Sequence, residues 1–147
     1  MSTIDSTDEA IVGVLIEDAR ATLAEIGKRV GLSAPAIKRR IDRLERDGVI
    51  LGYTARVNHA KLGRPLEAVT ELRFSGSARV DVIAGIAADI PEVIEVLTLT
   101  GDPDALVRIR VAAVEDLKQV VDQLRGKGDI TGTKTMVVLG RSIPPKT

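Results

Sequence analysis

The chain has no cysteine and no tryptophan, one histidine, and only Tyr53 and Phe74 from the large aromatic class. Without thiols there are no disulfides and no thiolate metal centre, and nothing speaks for an oxidising compartment. With two large aromatics the core has to be aliphatic, built from Val, Ile, Leu and Ala. The lone His59 falls in a polar stretch, and no Gly-rich phosphate loop, Ser/His/Asp set or metal-ligand spacing occurs. The chain therefore offers no residues for catalysis, and no cofactor or metal is expected. The opening MSTIDSTDEA has neither a basic n-region nor an apolar h-region, so no signal peptide is expected. No apolar run approaches the ~20 residues that span a bilayer, and a cytoplasmic protein is the expectation. Charge of either sign is not in excess either: Lys+Arg and Asp+Glu are 21 each, so any electrostatic signal has to be local.

What the chain does have is a change of period. Asp8 is a candidate cap for a helix carrying Ile11, Val14 and Leu15 on one face and ending near Asp18. Thr22 and Glu25 form the T-x-x-E pattern of a capping box, opening a second helix with Leu23, Ile26 and Val30 inward. Gly31 stands where a C′ glycine ends it. Ser33 caps a third helix with Pro35 in its first turn, and Ile37, Ile41 and Leu44 follow at helical spacing up to Gly48. The apolar VILGYTARV after it reads as a bent strand or strand pair. From Leu66 a period of two takes over, with Leu66, Ala68, Thr70, Leu72 and Phe74 on one side. A helical segment over 79–90 (Val80, Ile83, Ala87, Ile90), strands in EVIEVLTLT and DALVRIRV, an amphipathic helix in VEDLKQVVDQL and a last strand in ITGTKTMVVL complete the order β-α-β-β-α-β. The interruption in NHAKLGRP, residues 58–65, separates the two regions. The predicted fold is α+β: a winged helix-turn-helix over residues 1–62, then a ferredoxin-like domain over residues 63–147.

Five basic residues, Lys38, Arg39, Arg40, Arg43 and Arg46, crowd into nine positions of the third helix. Residues 28–46 hold seven bases against Asp42 and Glu45, a local +5 in a chain of zero net charge. On a helical wheel Ile37, Ile41 and Leu44 cluster, and Pro35, Arg39, Asp42 and Arg46 lie opposite. A helix of roughly 22 Å with such a face, preceded by a short Gly-containing turn and another helix, is the arrangement that enters a DNA major groove. The competing reading is a solvated face with i,i+4 pairs such as Lys38–Asp42, or a basic helix that docks onto an acidic protein. An RNA-recognition module is excluded, because the candidate central strands EVIEVLTLT and DALVRIRV carry no aromatic on which bases could stack.

The run from Asp18 to Val57 resembles the DNA-binding half of the Lrp/AsnC (feast/famine) regulators. The matching residues are Asp18, Arg20 and Thr22; Gly31–Leu32–Ser33; Arg40–Ile41–Asp42–Arg43–Leu44–Glu45; and Gly48–Val49–Ile50. The resemblance implies a sequence-specific DNA-binding transcriptional regulator that responds to an amino acid or related small molecule and controls amino-acid metabolism genes. In such a reader Ser33, Ala34, Pro35, Lys38 and Arg39 lie in the first turns, where base edges are met, and Arg40, Arg43 and Arg46 lie further along, where phosphates are held. Arg20 and Thr22 near a helix N-terminus are further phosphate candidates, and Glu45 is expected to pair with a neighbouring base residue.

The same resemblance assigns the second domain to effector binding and assembly. Family members carry Gly-x-aromatic-Asp in the hairpin between the second and third strands; here it is Gly101–Asp102–Pro103–Asp104, with proline at the aromatic position. A carboxylate of this turn would hold an α-ammonium group, with hydroxyls from Thr98 and Thr100 and from Thr133 and Thr135. By residue type alone, Gly, Asp and Pro are also ordinary turn formers, and threonines ordinary strand formers. The face of the sheet away from the helices is expected to be aliphatic and to need a cover, which together with the resemblance implies dimers assembling to octamers.

Overall fold

Short polar motifs start each N-terminal helix, and the aliphatic residues between them make the core. The computed structural model describes residues 4–76, 82, 85–127 and 130–142. It divides into two units, Met1–Arg56 and Val57–Thr147, so residues 57–62 group with the second unit rather than the first.

In the first unit helix α1 spans Ser6–Glu17, α2 Leu23–Val30 and α3 Ala34–Arg46. The cap of α1 is Asp5, not Asp8; Asp8 is the third helical residue and completes a capping box with it (Asp8 N–H to Asp5 Oδ1 2.8 Å, Asp5 N–H to Asp8 Oδ2 3.2 Å). The expectation from sequence was three residues late, because either acid satisfies the pattern and only the backbone distinguishes them. The predicted box of α2 is present, with Thr22 N–H donating to Glu25 Oε2 at 2.7 Å and Glu25 N–H to Thr22 Oγ1 at 3.2 Å. Gly31 closes α2 in the left-handed conformation (φ 74°), which a side chain would strain. Ser33 has the backbone position of a cap for α3, but its hydroxyl makes no capping bond. Ile11, Val14, Ile26, Ile37, Ile41 and Leu44 are the buried core.

After α3, residues 49–57 form no strand. Val49 and Ile50 N–H groups bond back to Leu44 O (2.8 and 3.1 Å), and Leu51 is 94% exposed. An extended segment becomes a strand only against a partner, and none of the described residues of this unit supplies one. The expected wing is therefore not formed among the described residues of this unit.

The second unit is a four-stranded antiparallel sheet of β1 (Leu66–Phe74), β2 (Val93–Thr98), β3 (Ala105–Val111) and β4 (Ile130–Val137) in the order β2-β3-β1-β4. Helix α4 (Val114–Arg125) joins β3 to β4. Register pairs Ala68 with Ile109, and Thr70 with both Val107 and Thr135, so the two central strands present one apolar face together. Onto that face pack Leu117, Val120, Val121 and Leu124 of α4, with Ile86 and Ile90. Of the helical positions expected over 79–90, Ala87 and Ile90 are buried; Val80 and Ile83 lie outside the described residues.

The opposite face is not the aliphatic surface expected from sequence. Glu67 accepts from Arg108 Nη2 (2.8 Å), Arg110 Nη2 (2.7 Å) and Arg141 Nη2 (2.8 Å), and Arg108 also reaches Glu95. A second group links Glu71, Arg73 and Asp102. The alternation read from DALVRIRV holds, with Ala105, Val107, Ile109 and Val111 buried and Leu106, Arg108 and Arg110 on the other side, and it is these two arginines with their carboxylate partners that make the open face polar. Burial alone would push the Glu67 carboxyl up, but hydrogen bonds from Arg108 and Arg110 and the charges of Arg108 and Arg141 outweigh it and hold the group at about 2.

Two outcomes follow for stability. A Cβ on Gly27 in α2 would stand 2.3 Å from the Leu32 carbonyl oxygen in the turn between α2 and α3. Gly27→Ala should cost about 1–3 kcal/mol of stability in the first unit, read by denaturant unfolding. Glu67 is depressed in the folded state, so its contribution is complete above the ordinary carboxyl value of 4.5 and fades as pH falls towards 2. Glu67→Gln should be less stable than the parent at pH 7, with the gap closing between pH 4.5 and 2 in urea titrations at stepped pH.

Candidate functional site

Helix α3 turns Ile37, Ile41 and Leu44 into the core, which places the residues half a turn away in solvent. Pro35, Lys38, Arg39 and Arg46 are exposed there, and Ala34 is half-buried. Lys38 donates to Asp42 at 2.7 Å, the i,i+4 pair of the solvated-face reading. Arg39 and Arg46 make ion pairs with no described residue, so their charge faces outward uncompensated. Ser33, exposed at the entrance of the helix with its hydroxyl uncommitted to the cap, lies on the same approach.

Arg40 and Arg43 go elsewhere. Arg40 Nη1 donates to Asp5 Oδ2 and to Asp8 Oδ1, each at 2.8 Å, and Arg43 Nη2 donates to Asp8 Oδ2. Asp8 is 0% exposed, and Arg40 and Arg43 are half-buried around it. The Asp5 carboxyl is held below its usual value, first by the Arg40 hydrogen bond, and Arg40 is raised in turn, first by Asp5. Sequence reasoning gave both arginines to phosphate; the fold gives them to α1. At ~100° per residue Arg40 lies only about 60° from Ile37, at the edge of the buried stripe. That position was legible, but its partner 32 residues away was not. Glu45 likewise does not pair with a neighbouring base residue: it accepts the Tyr53 hydroxyl at 2.8 Å. Burial, then that hydrogen bond, raise the Tyr53 phenol above the ordinary tyrosine value.

Of the residues at the start of α2, Thr22 spends its hydroxyl on Glu25 (2.8 Å). Arg20 is exposed and only its backbone N–H is engaged, by Asp18 Oδ1 at 2.8 Å. Among the described residues of this unit, the exposed cations outside any ion pair are thus Arg20, Lys28, Arg39, Arg46 and Arg56, with Lys38 shared with Asp42 and Arg29 with Glu17.

In the second unit the β2–β3 turn holds the Gly101–Asp104 motif. Leu99 N–H to Asp104 O closes the turn at 2.8 Å, and Asp104 N–H donates to Leu72 O at 3.1 Å. Asp104 Oδ2 accepts the Phe74 N–H at 2.9 Å, and Asp102 Oδ1 accepts Arg73 Nε at 2.6 Å. Asp104 therefore latches the turn to the end of β1, while Asp102 and Gly101 remain exposed. Thr98 and Thr100 lie along β2 and its exit; Thr133 and Thr135 lie on β4. These are the two outer strands, and β3 and β1 stand between them. At ~4.8 Å per strand the two threonine pairs are about 14 Å apart, so one chain does not bring them around one small molecule. Thr133 accepts from Arg125 Nε at 2.8 Å, and Thr135 bonds Thr70 at 2.9 Å.

Comparison with known proteins agrees with this division. Residues 4–45 match the AsnC-type helix-turn-helix domain, and residues 67–146 match the Lrp/AsnC ligand binding domain. The HTH-type transcriptional regulator Rv2324 of Mycobacterium tuberculosis is 38% identical over 97% of both chains. Among solved structures, the leucine response regulatory protein LrpA of the same organism superposes with a TM-score of 0.84 at 28% identity, covering 97% of each chain. The transcriptional regulator NMB0573 of Neisseria meningitidis, solved as its L-Met complex, superposes with a TM-score of 0.85 at 28% identity, covering 99% of this chain and 95% of that one. An N-terminal helix-turn-helix with an outward basic stripe, a β2-β3-β1-β4 sheet behind it in sequence, and these matches along the whole length lead to one conclusion: the chain belongs to the Lrp/AsnC family of transcriptional regulators.

Proposed function

We propose that the first unit reads DNA through α3, and that the second unit binds an amino acid and assembles copies of the chain, in the cytoplasm and without catalysis. The observation that carries the reading is the outward stripe of Pro35, Arg39 and Arg46, two of whose three members are cations with no ion-pair partner among the described residues. Ser33, Ala34, Pro35, Lys38 and Arg39 sit in the first turns, from which a recognition helix meets base edges. Arg46 at the far end, and Arg20 ahead of α2, take phosphates, while Thr22, whose N–H and hydroxyl are both engaged by Glu25, acts there as the cap of α2.

The amino-acid reading is supported by the L-Met complex of NMB0573 and by the exposed Gly101 and Asp102. The ~14 Å between the threonine pairs favours a pocket completed by a second copy, the turn and Thr98/Thr100 coming from one chain and Thr133/Thr135 from another. Such a pocket couples ligand to assembly, and assembly sets how two readers span half-sites.

The deciding experiment is capture of random-sequence duplexes by the full chain, with and without a mixture of the twenty amino acids. Recovery of defined sequences whose yield shifts with the mixture is the expected result; no enrichment in either condition would rule out the reader and leave docking onto an acidic protein. On the recovered site, Arg39→Ala should lose about 1–3 kcal/mol of discrimination between the correct and a mutated base pair. Arg46→Ala should weaken all duplexes alike and lower the slope of log affinity against log salt by about 0.9.

A further inference from the structure

We propose that Asp8 is a positioning residue for DNA reading: through Arg40 and Arg43 it fixes the rotation of α3 about its own axis, and these two arginines hold Asp8 instead of phosphate. The inference rests on α3 being the reader.

Three features of the cluster carry it. Asp8 is the one fully buried charged side chain among the described residues. Both its oxygens are occupied by guanidinium groups from α3, Oδ1 by Arg40 and Oδ2 by Arg43, and Oδ2 also accepts the Asp5 N–H. Asp8 is itself locked into the α1 frame by the reciprocal box with Asp5, whose other oxygen takes Arg40 as well.

Two anchors one helical turn apart resist rotation, where a single anchor would act as a pivot. The core contacts of α3, through Ile37, Ile41 and Leu44, are aliphatic and less directional than hydrogen bonds, and the further side-chain bond of Glu45 to Tyr53 ties α3 to the segment that follows it rather than to α1. At a side-chain radius of roughly 5–6 Å, a 20° rotation moves a tip by about 2 Å. That displacement exceeds what a hydrogen bond from Arg39 to a base edge survives. Lending Arg40 and Arg43 to phosphate would leave a fully buried carboxylate without its charge partners, which the fold resists.

The experiment is a salt series of affinities of the full chain for a duplex selected by the parent from a random pool and for its scrambled counterpart. The variants are Asp8→Asn, Arg40→Ala, Arg43→Ala, Arg43→Lys and Arg46→Ala, each checked for helix content by circular dichroism. Arg46→Ala should lower the salt slope by about 0.9 and serves as the phosphate reference. Asp8→Asn, Arg40→Ala and Arg43→Ala should leave that slope unchanged while the preference for the selected duplex falls about tenfold, the scale of one misplaced base contact. Arg43→Lys keeps the charge but loses the guanidinium fork, and should lose preference like Arg43→Ala.

A slope drop near 0.9 in Arg40→Ala or Arg43→Ala, with affinity restored by Arg43→Lys, would make them phosphate ligands and overturn the inference. A folded Asp8→Asn with full preference would overturn it too. If Asp8→Asn does not fold, the slopes of the arginine variants decide alone. A parent that selects no duplex removes the reader and the inference together, whereas the outcomes above leave the reader standing.

Discussion

An aliphatic core packs without directional preference, and this chain has almost nothing else to pack with. Both units answer that constraint in the same way, by placing one carboxylate between two arginines of a neighbouring element. In the first unit Asp8 of α1 receives Arg40 and Arg43, three residues apart on one side of a helix. In the second, Glu67 of β1 receives Arg108 and Arg110, two residues apart on one face of a strand. The spacings are those of the helix and strand periods, so each pair of guanidinium groups points at one acceptor. Hydrophobic burial holds the elements together, and the charged bonds add directional contacts between them.

Ion pairs with the acidic groups of α1 reduce the charge that the N-terminal unit shows to solvent. The local +5 counted along residues 28–46 is not all surface field. Arg40 and Arg43 are neutralised from α1, Arg29 by Glu17 and Lys38 by Asp42. What remains outward of that stretch is smaller: Arg39 and Arg46 on α3 and Lys28 on α2, joined by Arg20 in the turn before α2. A reader of sequence needs few cations in fixed positions rather than many in mobile ones, since phosphate contacts position and base contacts specify.

The second unit shows a related separation of roles. Asp104, the motif residue that matched the family pattern, is consumed in holding its own turn to β1, and Asp102 is tied to Arg73. The open face of the sheet, laced by the Glu67 and Arg73 groups, is a polar surface carrying a few apolar side chains. Assembly through it would be directed by charge complementarity as well as by apolar area.

The capping box of α2, the turn glycine, the period-two strands and the basic helix were legible in the sequence, because each is a local pattern whose physical cause lies within a few residues. Thr22 with Glu25, Gly31, and the alternation of Ala68, Thr70 and Leu72 belong to this class. The family motifs are local in the same sense. What only the tertiary structure decided were contacts between residues far apart in the chain: Asp8 with Arg43 across 35 positions, Glu67 with Arg110 across 43, and the two strands that part Thr98 from Thr133. The missing wing belongs with these, since a strand depends on a partner that the segment after α3 does not contain. A helix period tells which way an arginine points; which carboxylate meets it depends on packing the helices together.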